Sequence, residues 1–269
     1  MALSANMNVM IKAAEKAARS LLRDFGEVEQ LQVSKKGPGD FVSAADKRAE
    51  EIIYEDLLKA RPDYGFIMEE SGEVKGNNSD FKWIIDPLDG TTNFLHGVPH
   101  WCISIALEEK GEIIAGLIFD PIKDDSFRAE KGSGAFVKNK RLRVSSRTVL
   151  EESLITTGAP KRARESHAQF IAEYEAVQDK IPGLRRFGAA ALDLAYVAAG
   201  RFEGFWERDL HSWDIAAGCI IVKEAGGIIT DIDGRGNPVH RGSVIAGNPT
   251  IHEDLRTLIR NANASKDAA

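Results

Sequence analysis

WIIDPLDGTTNF, residues 83–94, starts as a strand bound for the interior and then places two carboxylates three residues apart. Trp83, Ile84 and Ile85 call for burial on both sides, yet Asp86 and Asp89 follow at once. Pro87 fixes φ and disfavours continuing the strand, so the expectation is a tight turn that presents both aspartates on one side. Two carboxylates held so close repel one another unless a cation lies between them. Oxygen donors without a nearby His or Cys ligand set suit a hard ion such as Mg²⁺. His96 and His100 are four apart but straddle Gly97 and Pro99, which denies them the helical spacing of a zinc pair. Gly90-Thr91-Thr92 then reads as a helix start, where unpaired N–H groups and a glycine receive an anion. Acidic metal ligands beside an anion cradle are what transfer of a phosphoryl group to water requires.

Outward from this run, the pattern divides the chain. Residues 5–25 place Met7, Met10, Ile11, Ala14, Ala18, Leu21, Leu22 and Phe25 on one helical face, with Ser4 as N-cap. VSKKGPGDFVSAAD reads as a loop, and a second helix runs from near Ser43 to Ala60 with Ala49, Ile52, Ile53 and Leu57 inward. GFIME, KWIID, CISIALEE, EIIAGLIFDP and GAFVKNKRLRV follow as strands, with Lys138-Asn139-Lys140 as a hairpin tip. From SLITTG onward strands and helices alternate, ending in a helix from Pro249. The expectation is a single domain over 1–269, stacked in helix and sheet layers. Residues 1–150 form an α+β half with an antiparallel sheet, and residues 151–269 an α/β half.

The chain has 269 residues, 43% hydrophobic and 28% charged, enough for a substantial core without staples. Cys102 and Cys219, its two cysteines, sit in apolar runs and read as small buried hydrophobes rather than a disulfide. No stretch approaches the ~18 apolar residues of a membrane span, and no signal peptide is evident, so a cytoplasmic setting is expected. A net charge of −6 argues against direct nucleic-acid binding. The short basic runs near 140, at 161–164 and at 185–186 read as solvated edges or single anion contacts.

Further acids end apolar runs: Asp46 in DFVSAAD, Glu69-Glu70 in GFIMEESG and Asp214 in HSWDIAAG. Each has a plain alternative. Asp46 and Asp214 serve equally well as acids of a helix first turn, Glu69-Glu70 as a solvated pair, and Asp89-Gly90 as an ordinary turn. Ends of strands are nonetheless where α/β folds gather their chemistry.

MEES (68–71), DPLDGTTNF (86–94) and WDIAAGCIIVKEAGG (213–227), in this order and spacing, resemble the inositol monophosphatase family of Mg²⁺-dependent, lithium-sensitive phosphatases. The likeness covers nearly the whole chain and is close to the bacterial inositol-1-monophosphatases. It implies a five-layer αβαβα sandwich of the inositol monophosphatase and fructose-bisphosphatase type, assembled as a homodimer. It further implies that Glu69, Asp86 and the Leu88 carbonyl bind a first Mg²⁺ that carries the nucleophilic water. Asp86, Asp89 and Asp214 would bind a second that stabilises the leaving alkoxide, and a third, looser ion would share Glu69. Thr91, hydrogen-bonded to Asp46, would help Glu69 orient and deprotonate the water. Lys35 would lie near the site, and the amides of Gly90 and Thr91 would take phosphate oxygens. Gly188, Ala189, Ala190 and Glu207 would receive the alcohol half of the substrate, with Arg185 contacting either substrate or the dimer partner. Ser43 stands where many members have Thr, and Ala189 replaces a common hydroxyl residue.

The implied reaction is hydrolysis of myo-inositol 1-phosphate to myo-inositol and phosphate, with Li⁺ as inhibitor. Histidinol phosphate, fructose 1,6-bisphosphate and 3′-phosphoadenosine 5′-phosphate are the alternative substrates. Glu207 favours a neutral polyol, since it would repel a second phosphate and can accept two hydrogen bonds from vicinal hydroxyls. A regulatory, protein-binding scaffold is the non-enzymatic alternative.

Overall fold

The computed structural model describes residues 3–27, 33–37, 40–160 and 167–267, with backbone alone for 33–37, 40–43 and 265–267. The side chains of Lys35 and Ser43, together with Pro38 and the basic run at 161–164, lie outside the described residues.

Helix α1 (Ala5–Phe25) begins where Ser4 Oγ accepts the Met7 N–H over 3.0 Å. Met7, Met10, Ala14, Ala18 and Leu21 are buried as the spacing predicts, but Leu22 is exposed at the stripe's edge. The expected loop at 33–43 is instead an antiparallel pair, β1 (Val33–Gly37) and β2 (Asp40–Ser43). The ladder runs from Val33 opposite Ser43 to Gly37 opposite Asp40, so these residues pair as strands although glycine and lysine dominate the run. Helix α2 (Ala44–Ala60) follows and buries Ala49, Ile53 and Leu57 against α1 and the sheet beneath.

The sheet contains β3 (Tyr64–Met68), β4 (Gly72–Val74), β5 (Asn78–Asp89), β6 (Cys102–Glu109), β7 (Glu112–Asp120), β8 (Asp125–Glu130), β9 (Gly134–Val137) and β10 (Lys140–Arg141). Their spatial order is β10-β9-β8-β7-β6-β5-β3-β4. Neighbours pair antiparallel except β3 and β5, which are parallel, so the sheet is mixed rather than wholly antiparallel. β4 and β8 escape a sequence reading because both are short and polar; β8 buries only Phe127 and Ala129. The hairpin tip at Lys138-Asn139-Lys140 stands as expected, with Val137 opposite Lys140. The short helix α3 (Thr91–Leu95) leaves the end of β5.

The second half supplies β11 (Leu154–Thr157), α4 (His167–Gln178), β12 (Gly183–Arg185), α5 (Ala190–Ala198), β13 (Gly204–Arg208), α6 (Ser212–Glu224), β14 (Ile228–Thr230), β15 (Ser243–Gly247) and α7 (Pro249–Asp267). The five strands order as β12-β11-β13-β15-β14; β11 runs parallel to both β12 and β13, and β15 antiparallel to β13 and β14. Helices α5 and α6 are almost wholly apolar because they lie between the two sheets, while α4 and α7 cover the outer face of the smaller one. The layers are thus α1/α2, eight strands, α5/α6, five strands, α4/α7.

A strap at 143–149 crosses from one sheet to the other and is sewn down by two side chains. Buried Glu203 accepts from Ser145 Oγ (2.7 Å), Arg147 Nη1 (3.0 Å) and the Leu154 N–H (2.7 Å). Asn248 donates to the carbonyls of Ser145 and Arg147, while its Oδ1 caps α7 by accepting from Thr250 and Ile251. Glu203→Ala strips an acceptor from three donors, and since Arg147 can turn to water the expected loss is about 1–3 kcal/mol. Thermal unfolding should register a melting temperature several degrees lower; an unchanged one would contradict the role given to Glu203.

Candidate active site

The geometry turns on one irregularity in β5. Pro87 does not end the strand, as the sequence suggests; β5 runs through it to Asp89. The pairing with β6 slips there, with Asp86 opposite Ser104 and Asp89 opposite Cys102. Three steps along β5 match two along β6, which is a β-bulge, one of the few places a sheet interior admits proline. In a regular strand, residues three apart face opposite sides. The extra residue cancels that alternation, so Asp86 and Asp89 face the same side, toward α5 and α6. Leu88 points the other way into the α1/α2 core, leaving its carbonyl at the turn.

Other elements complete the cluster. Met68 pairs with Ile85, and the next N–H, of Glu69, donates to the Ile85 carbonyl, which sets Glu69 beside Asp86. Asp214 sits in the first turn of α6, where its Oδ2 accepts the His211 N–H over 2.6 Å. It therefore is a helix-terminal acid and also lies within the field of Asp86 and Asp89. Asp46, fully buried in the first turn of α2, reaches the site from the opposite side through Thr91. Thr91 Oγ1 lies 3.1 Å from both Asp46 Oδ1 and the Leu88 carbonyl, two acceptors competing for one hydroxyl proton.

Electrostatics sharpen the picture. Burial, reinforced by Glu69, Asp89 and Asp214, pushes the Asp86 carboxyl well above the usual carboxylate range. Asp89 is pushed up to about 8 by burial and Asp214, against the pull of the Ala191 N–H that donates to its Oδ2 over 2.8 Å. Cys102 adds an S–H contact to the same oxygen at 3.7 Å. Asp86 Oδ1 accepts the Leu88 N–H at 2.9 Å. Among the described residues, no three His, Cys, Asp or Glu side chains already close into a metal cage; Asp86, Asp89 and Asp214 each accept a backbone N–H.

Gly90 adopts φ 94°, and a Cβ there would stand 3.0 Å from the His100 carbonyl, so only glycine fits the step from β5 into α3. Gly188, Ala189 and Ala190 lead into α5 and converge on the cluster through the Ala191 amide. Glu207, on β13, is pushed well up by burial first and then by Asp193, Asp214 and Asp89, with Arg186 pulling down. Arg185 is exposed on the edge strand β12 and donates to its neighbour's carbonyl at Leu184; Arg186 is the cation whose field reaches Glu207.

Several participants lie beyond the sequence reading. Asn93 Nδ2 donates to the carbonyls of both His100 and Phe187 over 2.8 Å, tying α3 to the segment that carries Gly188. The His100 ring stacks on Phe187, and burial pushes it down to about 4, so it packs as a neutral ring at pH 7. Asp193, an acid in the apolar run AALDLAYVAA, lies buried in the field of Asp89 and is also pushed up. Its anomaly is legible in sequence, as is the place of Asn93 in DGTTN; the Ala191 amide leaves no mark.

Between its unfolded value near 3.8 and its folded value of about 8, Asp89 holds a proton in the folded chain that the unfolded chain has released. Stability of the ion-free protein therefore falls as pH rises through that window. In EDTA, Asp89→Asn should raise the melting temperature at pH 8 and flatten its decline from pH 5; a variant as pH-dependent as the parent, or less stable at pH 8, would contradict this electrostatic reading.

The same residues fall within an extended match. Residues 3–264 fit the profile of the Inositol monophosphatase family. An inositol-1-monophosphatase of Rhizobium meliloti (strain 1021) is 53% identical over 266 residues, covering 99% of this chain and 100% of that one. A protein of Escherichia coli (strain K12) named Nus factor SuhB is 40% identical over 255 residues, covering 95% and 96%. The crystal structure of extragenic suppressor protein suhB from Bartonella henselae superposes with a TM-score of 0.92 at 54% identity, over 95% of this chain and 98% of that one. The layer order, the bulged strand and these likenesses agree: the chain belongs to the inositol monophosphatase family.

Proposed function

We propose that the chain hydrolyses a phosphate monoester, with myo-inositol 1-phosphate as preferred substrate, to the free polyol and phosphate. The observation that carries this reading is the bulge that turns Asp86 and Asp89 to one face, beside Glu69 and in the field of Asp214, where the strand opens on to Gly90 and Thr91. The family membership and the 53% identical inositol-1-monophosphatase support the substrate.

The donor set fits a divalent metal. Glu69, Asp86, Asp89 and Asp214 with the Leu88 carbonyl are hard oxygen donors, and the acids raise one another's affinity for positive charge. A carboxylate oxygen that accepts one N–H retains further lone pairs for an ion. Glu69, Asp86 and the Leu88 carbonyl would hold one Mg²⁺, and Asp86, Asp89 and Asp214 a second, with a looser third sharing Glu69. When bound, Mg²⁺ supplies charge neutralisation for the phosphate and a lowered pKa for water.

The chain's own residues supply position and proton transfer. Thr91 Oγ1, oriented by buried Asp46, accepts a hydrogen bond from the attacking water only while its own proton points at Asp46 or Leu88 O. Glu69 takes the water's proton as the oxygen reaches phosphorus. Amides of Gly90 and Thr91 hold phosphate oxygens, and Lys35 adds charge from the β1–β2 hairpin. On the alcohol side, Gly188, Ala189 and Ala190 shape the wall, and Glu207 accepts from two ring hydroxyls. As the ester P–O bond breaks, the leaving oxygen takes a proton from solvent water, the polyol departs, and Glu69 returns its proton to solvent. Arg185 stays outside this set and is available to a dimer partner. A cytoplasmic homodimer completes the proposal.

The E. coli relative's name, Nus factor, supports a second reading in which the chain also binds a protein partner. Phosphate release from inositol 1-phosphate, histidinol phosphate, fructose 1,6-bisphosphate and 3′-phosphoadenosine 5′-phosphate separates the two. Turnover should favour inositol 1-phosphate, vanish in EDTA and fall with added Li⁺. Preference for another ester would overturn the substrate, and release from none would leave the partner reading standing. Asp89→Asn should cut kcat on the order of a thousandfold while circular dichroism stays unchanged. Near-normal turnover by that variant would refute the metal assignment.

A further inference from the structure

β11 stops at Thr157, and the next residue is Gly158. Thr156 pairs with Phe205 and Thr157 with Trp206, so the parallel register carried one step further sets Gly158 beside Glu207. Thr157 Oγ1 donates to the Trp206 carbonyl over 2.7 Å and holds the two chain segments at that spacing. A Cβ built on Gly158 would stand 1.8 Å from Glu207 Oε1, 2.0 Å from Cδ and 2.2 Å from Oε2. The Glu207 carboxylate thus lies directly across the bare Cα of Gly158.

Backbone conformation does not require glycine here, because Gly158 has no positive φ. The three nearest atoms to the absent methyl all belong to one carboxyl group at the end of a flexible side chain. Larger residues therefore conflict first with the placement of Glu207. That placement brings Glu207 into the field of Asp193, Asp214 and Asp89 and so fixes which way it faces.

We infer that Gly158 is a specificity-determining positioning residue, whose missing side chain leaves the space in which the Glu207 carboxylate is seated toward the alcohol half of the substrate. This rests on the reading of Glu207 as the acceptor for polyol hydroxyls. Gly158→Ala pushes the carboxylate off its seat and weakens recognition of hydroxyls, without touching the acids at the end of β5.

The test is the ratio of kcat/KM for inositol 1-phosphate to that for p-nitrophenyl phosphate, which offers no vicinal hydroxyls. Losing the seated acceptor for the polyol hydroxyls should lower this ratio about 10- to 100-fold in Gly158→Ala and in Glu207→Gln alike. A ratio that falls in Glu207→Gln but holds in Gly158→Ala overturns the inference and leaves the polyol reading intact. A ratio that holds in Glu207→Gln overturns the polyol reading and the inference with it. Equal loss on both esters in Gly158→Ala marks a general packing role and also overturns the inference.

Shortening the acid separates crowding of Glu207 from damage to the fold. In a Glu207→Asp background the carboxyl withdraws by one methylene, so Gly158→Ala should lower the melting temperature less than it does alone. An equal loss in both backgrounds would place the conflict elsewhere than at residue 207 and refute the inference.

Discussion

Repulsion among carboxylates that cannot move apart is the constraint around which this structure is organised. At an effective dielectric of about 20, two unit charges about 4 Å apart repel by about 4 kcal/mol. Asp86 and Asp89 are fixed to one face by a backbone bulge, with Glu69 and Asp214 contributing the same sign. Such a cluster stays together at neutral pH only by keeping protons or by meeting a cation. The proposed chemistry uses the second state, in which the ion meets phosphate where the chain would otherwise hold protons.

Rigidity is what makes this arrangement usable. Asp86 and Asp89 belong to a central strand flanked by β3 and β6, and Asp214 and the Ala191 amide come from helices packed between two sheets. Asp86 and Asp89 are buried there and have no solvent to turn to, while Glu69 and Asp214 stand half-buried at the rim. Further contributions come from turns: Gly90 at its positive φ and Asn93 bridging to Phe187. The proposed function puts metal and phosphate chemistry at the strand end, and substrate discrimination at the segments around Gly158, Gly188 and Glu207.

Much of this was legible in the sequence, and the failures have physical reasons. The one-sided periodicity of α1 and α2 and the apolar runs of β5, β6 and β7 carry strong signals because burial selects one face of each helix and most positions of these strands. β4 and β8 carry weak ones, since few of their residues are buried. Proline at 87 argued for a turn, and the sheet overrode it with a bulge, which kept the two aspartates on one side by a different route. The Asp46–Thr91 hydrogen bond joins residues 45 positions apart, so it follows from the resemblance and not from spacing or periodicity, and the structure has it at 3.1 Å. The Ala191 amide and the vacant side-chain space at Gly158 leave no trace in composition or spacing, because their contribution is backbone or absence.

Proton release tests the central claim most directly. If buried carboxyls near the end of β5 exchange protons for a divalent cation, adding Mg²⁺ to the ion-free protein in weakly buffered solution at pH 7 must acidify it. Because Asp89 retains its proton up to about pH 8, the account predicts release of about one proton or more per chain, saturating with Mg²⁺ and reduced in Asp89→Asn. Mg²⁺ binding with no release, or with release unchanged in that variant, would contradict it.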